Sequence, residues 1–276
     1  MVVAAIDLHL IEGATMSPLQ CRGGATAMDN SLKLQKTEKI VGIIGGMGPE
    51  ATVDLMQRII ANTVALDDID HIRCIVDNNP KIPSRIKAIL SEGTENPGPC
   101  MADMARRLEQ YGADFLVIPC NTAHYYYKYV AEAVSIPVVH LIDLVVHTLL
   151  AENPHLREIG ILGSTTIVKT GLYATRFEAR GVKVVYPEGS MQDKLFALIR
   201  MVKSGNTRGE TSKQLVDICN SLAIKGIDLC ILGCTELGVI KADLPIRSID
   251  AAELLAKEIV AVVKHGKNPF TAIDHM

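Results

Sequence analysis

Val41-Gly42-Ile43-Ile44-Gly45-Gly46-Met47 has a counterpart in the second half of the chain, Ile159-Gly160-Ile161-Leu162-Gly163-Ser164-Thr165. Each is a short apolar run closed by glycine. Such runs, joined by segments of helical periodicity, are the signature of parallel strands buried on both faces. The fold class that follows is α/β.

Working outward from the first run, a helical stretch extends to about Val64 and a strand covers His71 to Val76. A proline-rich loop, Asn78-Asn79-Pro80-Lys81-Ile82-Pro83-Ser84-Arg85, comes next. Met101 to Tyr111 is amphipathic with helical spacing, and Asp114 to Ile118 is a strand. That strand runs into Gly112-Ala-Asp-Phe-Leu-Val-Ile-Pro-Cys120-Asn121-Thr122, which the second half repeats as Gly226-Ile-Asp-Leu-Cys-Ile-Leu-Gly-Cys234-Thr235-Glu236. A proline-led segment ending in aspartate follows each, Ile136 to Asp143 and Leu244 to Asp250, and both read as strands. The period far exceeds that of a solenoid repeat, so the pattern is a two-fold duplication. Two similar lobes, each a mainly parallel sheet flanked by helices, then enclose a cleft.

The composition narrows the function classes. Of 276 residues, 48% are hydrophobic and 21% charged, the balance of a globular protein. A net charge of −3 and the absence of Trp argue against nucleic acid as a partner, and against an anionic membrane surface. Seven cysteines at irregular spacing point to reduced thiols in the cytoplasm rather than a disulfide framework. No apolar stretch is long enough to span a bilayer. Residues 1–38 form a poorly patterned extension to which no role attaches; Met16 and Met28 are alternative starts.

In an open parallel sheet, ligands bind beyond the carboxyl ends of the strands, where Cys120 and Cys234 both fall. A free thiol titrates near ~8.5 and can be tuned as an acid or a base. Two thiols on facing lobes can exchange protons with opposite faces of one carbon and so invert it. Cys21, Cys74, Cys100, Cys219 and Cys230 lack matched positions and are assigned to packing. Cys120-x3-His124 raises zinc as a rival, but the second half offers no histidine near Cys234, so no metal is assigned. Gly46-Met-Gly48-Pro-Glu-Ala51 also matches the dinucleotide fingerprint, but a loop rich in Asn and Pro stands where its acidic residue is expected and only Asp77 speaks for it; the plainer reading is a tight turn from strand to helix. Arg85, ending a loop stiffened by Pro80 and Pro83, and Lys203, at a predicted helix end, are the cations suited to a carboxylate.

Taken together, Gly45-Gly46-Met47-Gly48-Pro49, Asn78-Asn79-Pro80-x-Ile82-Pro83-x-Arg85, Pro119-Cys120-Asn121-Thr122-Ala123-His124, Lys203-x-Gly205-Asn206 and Gly233-Cys234-Thr235-Glu236 resemble the aspartate/glutamate racemase family, in particular its aspartate racemase branch. The resemblance covers about residues 39 to 265. It implies racemisation of aspartate, and by extension glutamate, without pyridoxal phosphate or any other cofactor. Cys120 and Cys234 would be the acid and base. Arg85 and Lys203 would bind the side-chain carboxylate. Met47, Asn121, Thr122, Thr165 and Thr235 would line the rest of the site. It also implies a homodimer, and a chain that crosses between lobes: 39–136 plus 246–276 in the first, 137–245 in the second. The alternatives are a dicarboxylate isomerase or decarboxylase using the same thiols, and a non-catalytic two-lobed sensor of small molecules.

Overall fold

The computed structural model describes residues 38–91, 93–206 and 209–272. The expected N-terminal extension, Glu38 apart, lies outside them, as does Cys21. In the first half, strand β1 (Val41–Gly45) leads into helix α1 (Pro49–Asn62). Strand β2 (Cys74–Asn78), helices α2 (Arg85–Leu90) and α3 (Gly98–Gln110), and strand β3 (Phe115–Val117) follow. A 3₁₀ turn at Thr122–Tyr126 passes into α4 (Tyr127–Ala131) and then α5 (Leu141–Glu152). The second half holds β4 (Glu158–Leu162), α6 (Thr165–Thr170), α7 (Ala174–Glu178), β5 (Lys183–Val185), α8 (Ser190–Lys203) and α9 (Glu210–Ala223). It ends with β6 (Leu229–Leu232), α10 (Thr235–Gly238), β7 (Arg247–Asp250) and α11 (Ala251–Lys264).

Two parallel sheets result, ordered β2-β1-β3 and β5-β4-β6-β7. Alternation along the strands buries both faces. Phe115 and Val117 of β3, with Leu229 and Ile231 of β6, enter one central core together with α5 and α11. Their neighbours Leu116 and Ile118 face a second core under α3 and α4, while Cys230 and Leu232 face a third under α8 and α9. Helices α3 and α9 stop in the same way before these strands. Gly112 and Gly226 take positive φ of 95° and 83°, and the next N–H groups, of Ala113 and Ile227, return to the carbonyls of Leu108 and Leu222.

The proline-led segments depart from expectation in two ways. The first is not a strand. Only Val138 bridges to Leu116, through two backbone bonds of 2.8 Å. Pro137 has no N–H to extend a ladder, and the chain turns at once into α5, whose N-terminus His140 caps by accepting from the Asp143 N–H at 3.1 Å. The second is a strand, but β7 hydrogen-bonds to β6 and so extends the second sheet. It does not return to the first lobe with the helix that follows it.

What crosses between the halves is the helix after each segment. Helix α11 packs on α1, and α5 packs on α7. Each crossing is fixed by an equivalent ion pair at the terminal aspartate. Arg58 of α1 meets Asp250 at 2.8 Å and Glu253 at 3.2 Å, and Arg176 of α7 meets Asp143. With its second oxygen Asp143 also lies 3.2 Å from His140 Nδ1. Because these carboxylates are largely buried, losing either arginine would strand an uncompensated charge, an effect of several kcal/mol, about 3–5 in comparable pairs.

Candidate active site

The strand-to-helix turn after β1 sets the floor of the cleft. Gly46 adopts φ +92°, and a Cβ there would lie 2.3 Å from the Asn79 backbone. Any side chain would drive away the loop that carries Arg85. The Gly46 N–H is held by Thr52 Oγ1 at 2.9 Å, which leaves buried Met47 facing the cleft. Within the loop, Ser84 caps α2, and Arg85 Nη1 donates to the carbonyls of Ile82 and Pro83 at 3.2 and 3.0 Å. The guanidinium is thereby fixed by its own backbone, while its buried Nε has no protein acceptor. Spare donors of a held arginine suit a bidentate carboxylate.

Cys120 and Cys234 lie just beyond β3 and β6, and both are buried. They line one cavity of about 120 Å³, together with Met47, Ser84, Arg85, Ile86, Asn121, Thr122, Ser164, Ile199, Lys203, Thr235 and Glu236. That space is smaller than the ~300–1,000 Å³ of sites for drug-sized ligands and suits a molecule of a few heavy atoms. Of the expected residues only Thr165 is missing. As the first residue of α6 it points outward and is exposed, whereas Ser164 at the N-cap turns into the cavity.

Cys120 sits in a neutral, heavily braced loop. His124 Nδ1 bonds the Cys120 carbonyl at 2.9 Å, and Nε2 accepts the Leu141 N–H at 3.0 Å. Because Nε2 accepts, Nδ1 carries the proton. Burial pushes this imidazole down to about 4, so it stays neutral. Both ring nitrogens are committed to backbone, which removes His124 from any Cys-x3-His metal set. Second-lobe groups complete the bracing. Thr235 Oγ1 donates to the Pro119 carbonyl at 3.3 Å, Tyr173 donates to Asn121 Oδ1 at 2.6 Å, and Thr122 shares a hydroxyl cluster with Ser164 and Thr166.

Cys234 is surrounded by charge instead. Its thiol donates to Glu236 Oε2 at 2.8 Å, and the other oxygen of Glu236 receives Lys203 from the end of α8. Burial first, and then the Glu236 carboxylate, raise Cys234 well above the ordinary thiol range, against the lowering effect of Lys203. Burial alone would lower Lys203, but Glu236 and the two cysteines outweigh it and hold the ammonium charged. Glu236 is not among the expected residues, although a lone charge in the otherwise uncharged run from Leu229 to Ile240, two residues after Cys234, is a signal for it.

A sequence profile described as Asp/Glu/Hydantoin racemase matches residues 44–259, a span that includes both thiols. The chain belongs to the Asp/Glu/hydantoin racemase family. Among solved structures it resembles the aspartate racemase of Picrophilus torridus, with 31% identity, a TM-score of 0.73, and coverage of 84% of this chain and 96% of that one. The broad specificity amino-acid racemase RacX of Bacillus subtilis is 26% identical over 231 residues, 80% of this chain and 97% of that protein. A glutamate racemase from Francisella tularensis, solved with D-glutamate, shares the fold at 18% identity and a TM-score of 0.59, over 87% of this chain and 85% of its own. These relatives are racemases by name, and this member of the racemase family is an amino-acid racemase.

Elsewhere in this racemase-family chain, Cys219 and Cys230 are buried in the core under α8 and α9, and Cys74 and Cys100 are half-buried; all four are free. Among the described residues no cluster of His, Cys, Asp and Glu is arranged to hold a metal ion. No described helix is long and apolar enough to cross a membrane.

Proposed function

We propose that this racemase interconverts L- and D-aspartate, and glutamate more slowly, by two-base proton transfer between Cys120 and Cys234. One observation carries this: the two thiols come from equivalent strand ends of the two sheets and line a single small cavity with Arg85 and Lys203. Charge favours an acidic amino acid. Lys203 is paired with Glu236, which leaves Arg85 as the cavity's cation without a carboxylate partner among the described residues. Aspartate, with one ammonium and two carboxylates, brings one net negative charge. Arg85 grips the side-chain carboxylate, and Lys203, with donors to spare, adds to it.

The resting protonation follows from the surroundings. Cys234, raised by burial and by Glu236, is the thiol that holds its proton. Cys120, whose loop carries no carboxylate, is assigned the part of the base. Cys120 takes the α-proton from one face while Cys234 delivers its own to the other, leaving Cys120 as thiol and Cys234 as thiolate; the reverse turnover restores the start. The two thiols supply both proton transfers, so no step calls for a cofactor. An α-proton is far less acidic than a thiol, and acid–base catalysis alone contributes only ~10²–10⁴-fold. The rest comes from donors aimed at the α-carboxylate as charge builds on it, here the Asn121 amide and the Thr122 hydroxyl, while Thr235 braces the Pro119 carbonyl behind them.

Assaying racemisation of aspartate, glutamate and asparagine side by side tests this. Aspartate is expected to turn over fastest and asparagine, lacking the second carboxylate, to lose at least ~10²-fold in kcat/KM, as when a site's buried polar group is left unpaired. Equal rates for all three would overturn the assignment of Arg85. The cytoplasmic setting and the homodimer belong to the same reading; they rest on the reduced thiols and on the family resemblance.

A further inference from the structure

We propose that Tyr173 is a positioning residue for racemisation: its hydroxyl sets the Asn121 amide so that nitrogen, not oxygen, faces the substrate. The inference rests on the function proposed above. Tyr173 lies in the second lobe at the N-cap of α7 and is fully buried, and its ring stacks on Phe177 at 6.5 Å between centroids. Asn121 lies beside Cys120 at the cavity wall. The two residues meet at one hydrogen bond, hydroxyl to Oδ1, of 2.6 Å.

An asparagine amide has a donor end and an acceptor end of nearly the same shape, so something must choose between them. A tyrosine hydroxyl makes that choice because it has one proton to place. Burial raises Tyr173 above the ordinary phenol range, so the proton stays on the oxygen. With Oδ1 toward Tyr173, that proton has an acceptor, and Nδ2 lies buried without any protein partner. With the amide reversed, the phenolic proton would have no acceptor among the described residues. The cavity would then receive a carbonyl oxygen, which repels a substrate carboxylate. A buried donor pair that no protein group uses, at the wall of a cavity sized for a small acid, is a donor kept for the ligand. As the α-proton leaves, negative charge accumulates on the α-carboxylate, so these N–H groups bind most strongly in the transition state.

Tyr173→Phe keeps the ring and its packing and removes only the oxygen. In the wild-type background it is expected to lower kcat/KM for aspartate roughly tenfold, chiefly through kcat, less than the ~10²–10³-fold typical for outright loss of such a donor. In an Asn121→Ala background the same change is expected to have less than about a twofold effect, since the amide it orients is gone. A purely structural tyrosine would give the same loss in both backgrounds, and that result, or no loss in the first, would overturn the inference. Should Tyr173→Phe fail to fold, Asn121→Asp serves: it presents an anionic oxygen where the amide nitrogen stood, and must reduce kcat/KM below that of Asn121→Ala. An Asn121→Asp enzyme as active as Asn121→Ala would overturn it equally. A wild-type protein that racemised no acidic amino acid would instead overturn the underlying function.

Discussion

The two halves of this molecule share a backbone and differ in electrostatics. In both, a strand ends at a buried cysteine, a proline-led segment ends at an aspartate, and the next helix crosses to the opposite lobe under an arginine. Yet the residue that follows two or four places after each cysteine is different. Around Cys120 the partner is a neutral His124 that grips the backbone; around Cys234 it is Glu236, a carboxylate that grips the thiol itself. Duplication therefore supplies two equivalent positions, and the charges around them are unequal: burial and the Glu236 carboxylate favour the protonated form of Cys234. For a reaction that needs one acid and one base at the start of each turnover, that inequality is useful.

Removing either thiol breaks the comparison most severely. Cys120→Ala and Cys234→Ala should each lose racemisation by ~10²–10⁴-fold, since each proton transfer needs its own group. Steady-state assays in both directions check this; a single variant that retains wild-type rates would end the two-base scheme. Sharpening the comparison calls for Glu236→Gln, which makes the second half resemble the first. It removes a charge that raises Cys234 and frees Lys203 to lower it, so the thiol should lose its proton at lower pH. The alkaline limb of the kcat/KM profile should then move down by about 1 pH unit or more, as expected when a close charge is deleted, with activity at neutral pH reduced about tenfold.

The smallest effect lies in stability. His124 titrates near 4 in the fold against an ordinary 6.5, so its contribution is fully present above pH 6.5. It is lost as pH falls toward 4, because the unfolded chain takes up a proton that the folded one refuses. At pH 5 this amounts to on the order of 2 kcal/mol. Replacing His124 by Gln should lower stability at pH 7 by about 1–3 kcal/mol through weakened buried hydrogen bonds. It should also flatten the loss between pH 7 and 5, read from urea midpoints; an unchanged slope would show that His124 is not the group responsible.

Much of this was legible in the chain itself. Apolar runs closed by glycine mark β1, β4 and β6, and one closed by Pro119 marks β3, because strands buried on both faces must be apolar throughout and end where the chain turns. The thiols, Arg85 and Lys203 stand out by repetition or by the rigid loop and helix end that carry them. What escaped depends on contacts far apart in sequence or on one residue of register. Ile136 to Asp143 looks like a strand, but a proline and an immediate helix cap leave it a single bridge. Thr165 and Ser164 are both plausible hydroxyls, and only the start of α6 decides which of them faces the cavity. Glu236 acquires its meaning from Lys203, and Asn121 from Tyr173, partners 33 and 52 positions away. No local pattern announces such pairs.

The most direct test of opposed thiols is the isotope content of aspartate during the first turnovers in D₂O. Abstraction by one cysteine and delivery by the other predicts that the newly formed enantiomer carries deuterium at Cα, while the remaining substrate keeps its hydrogen. Proton NMR of the two enantiomers, separated after brief reaction, reads both quantities. Product that retains its original hydrogen would mean that one group removes and returns the same proton, and would contradict the account.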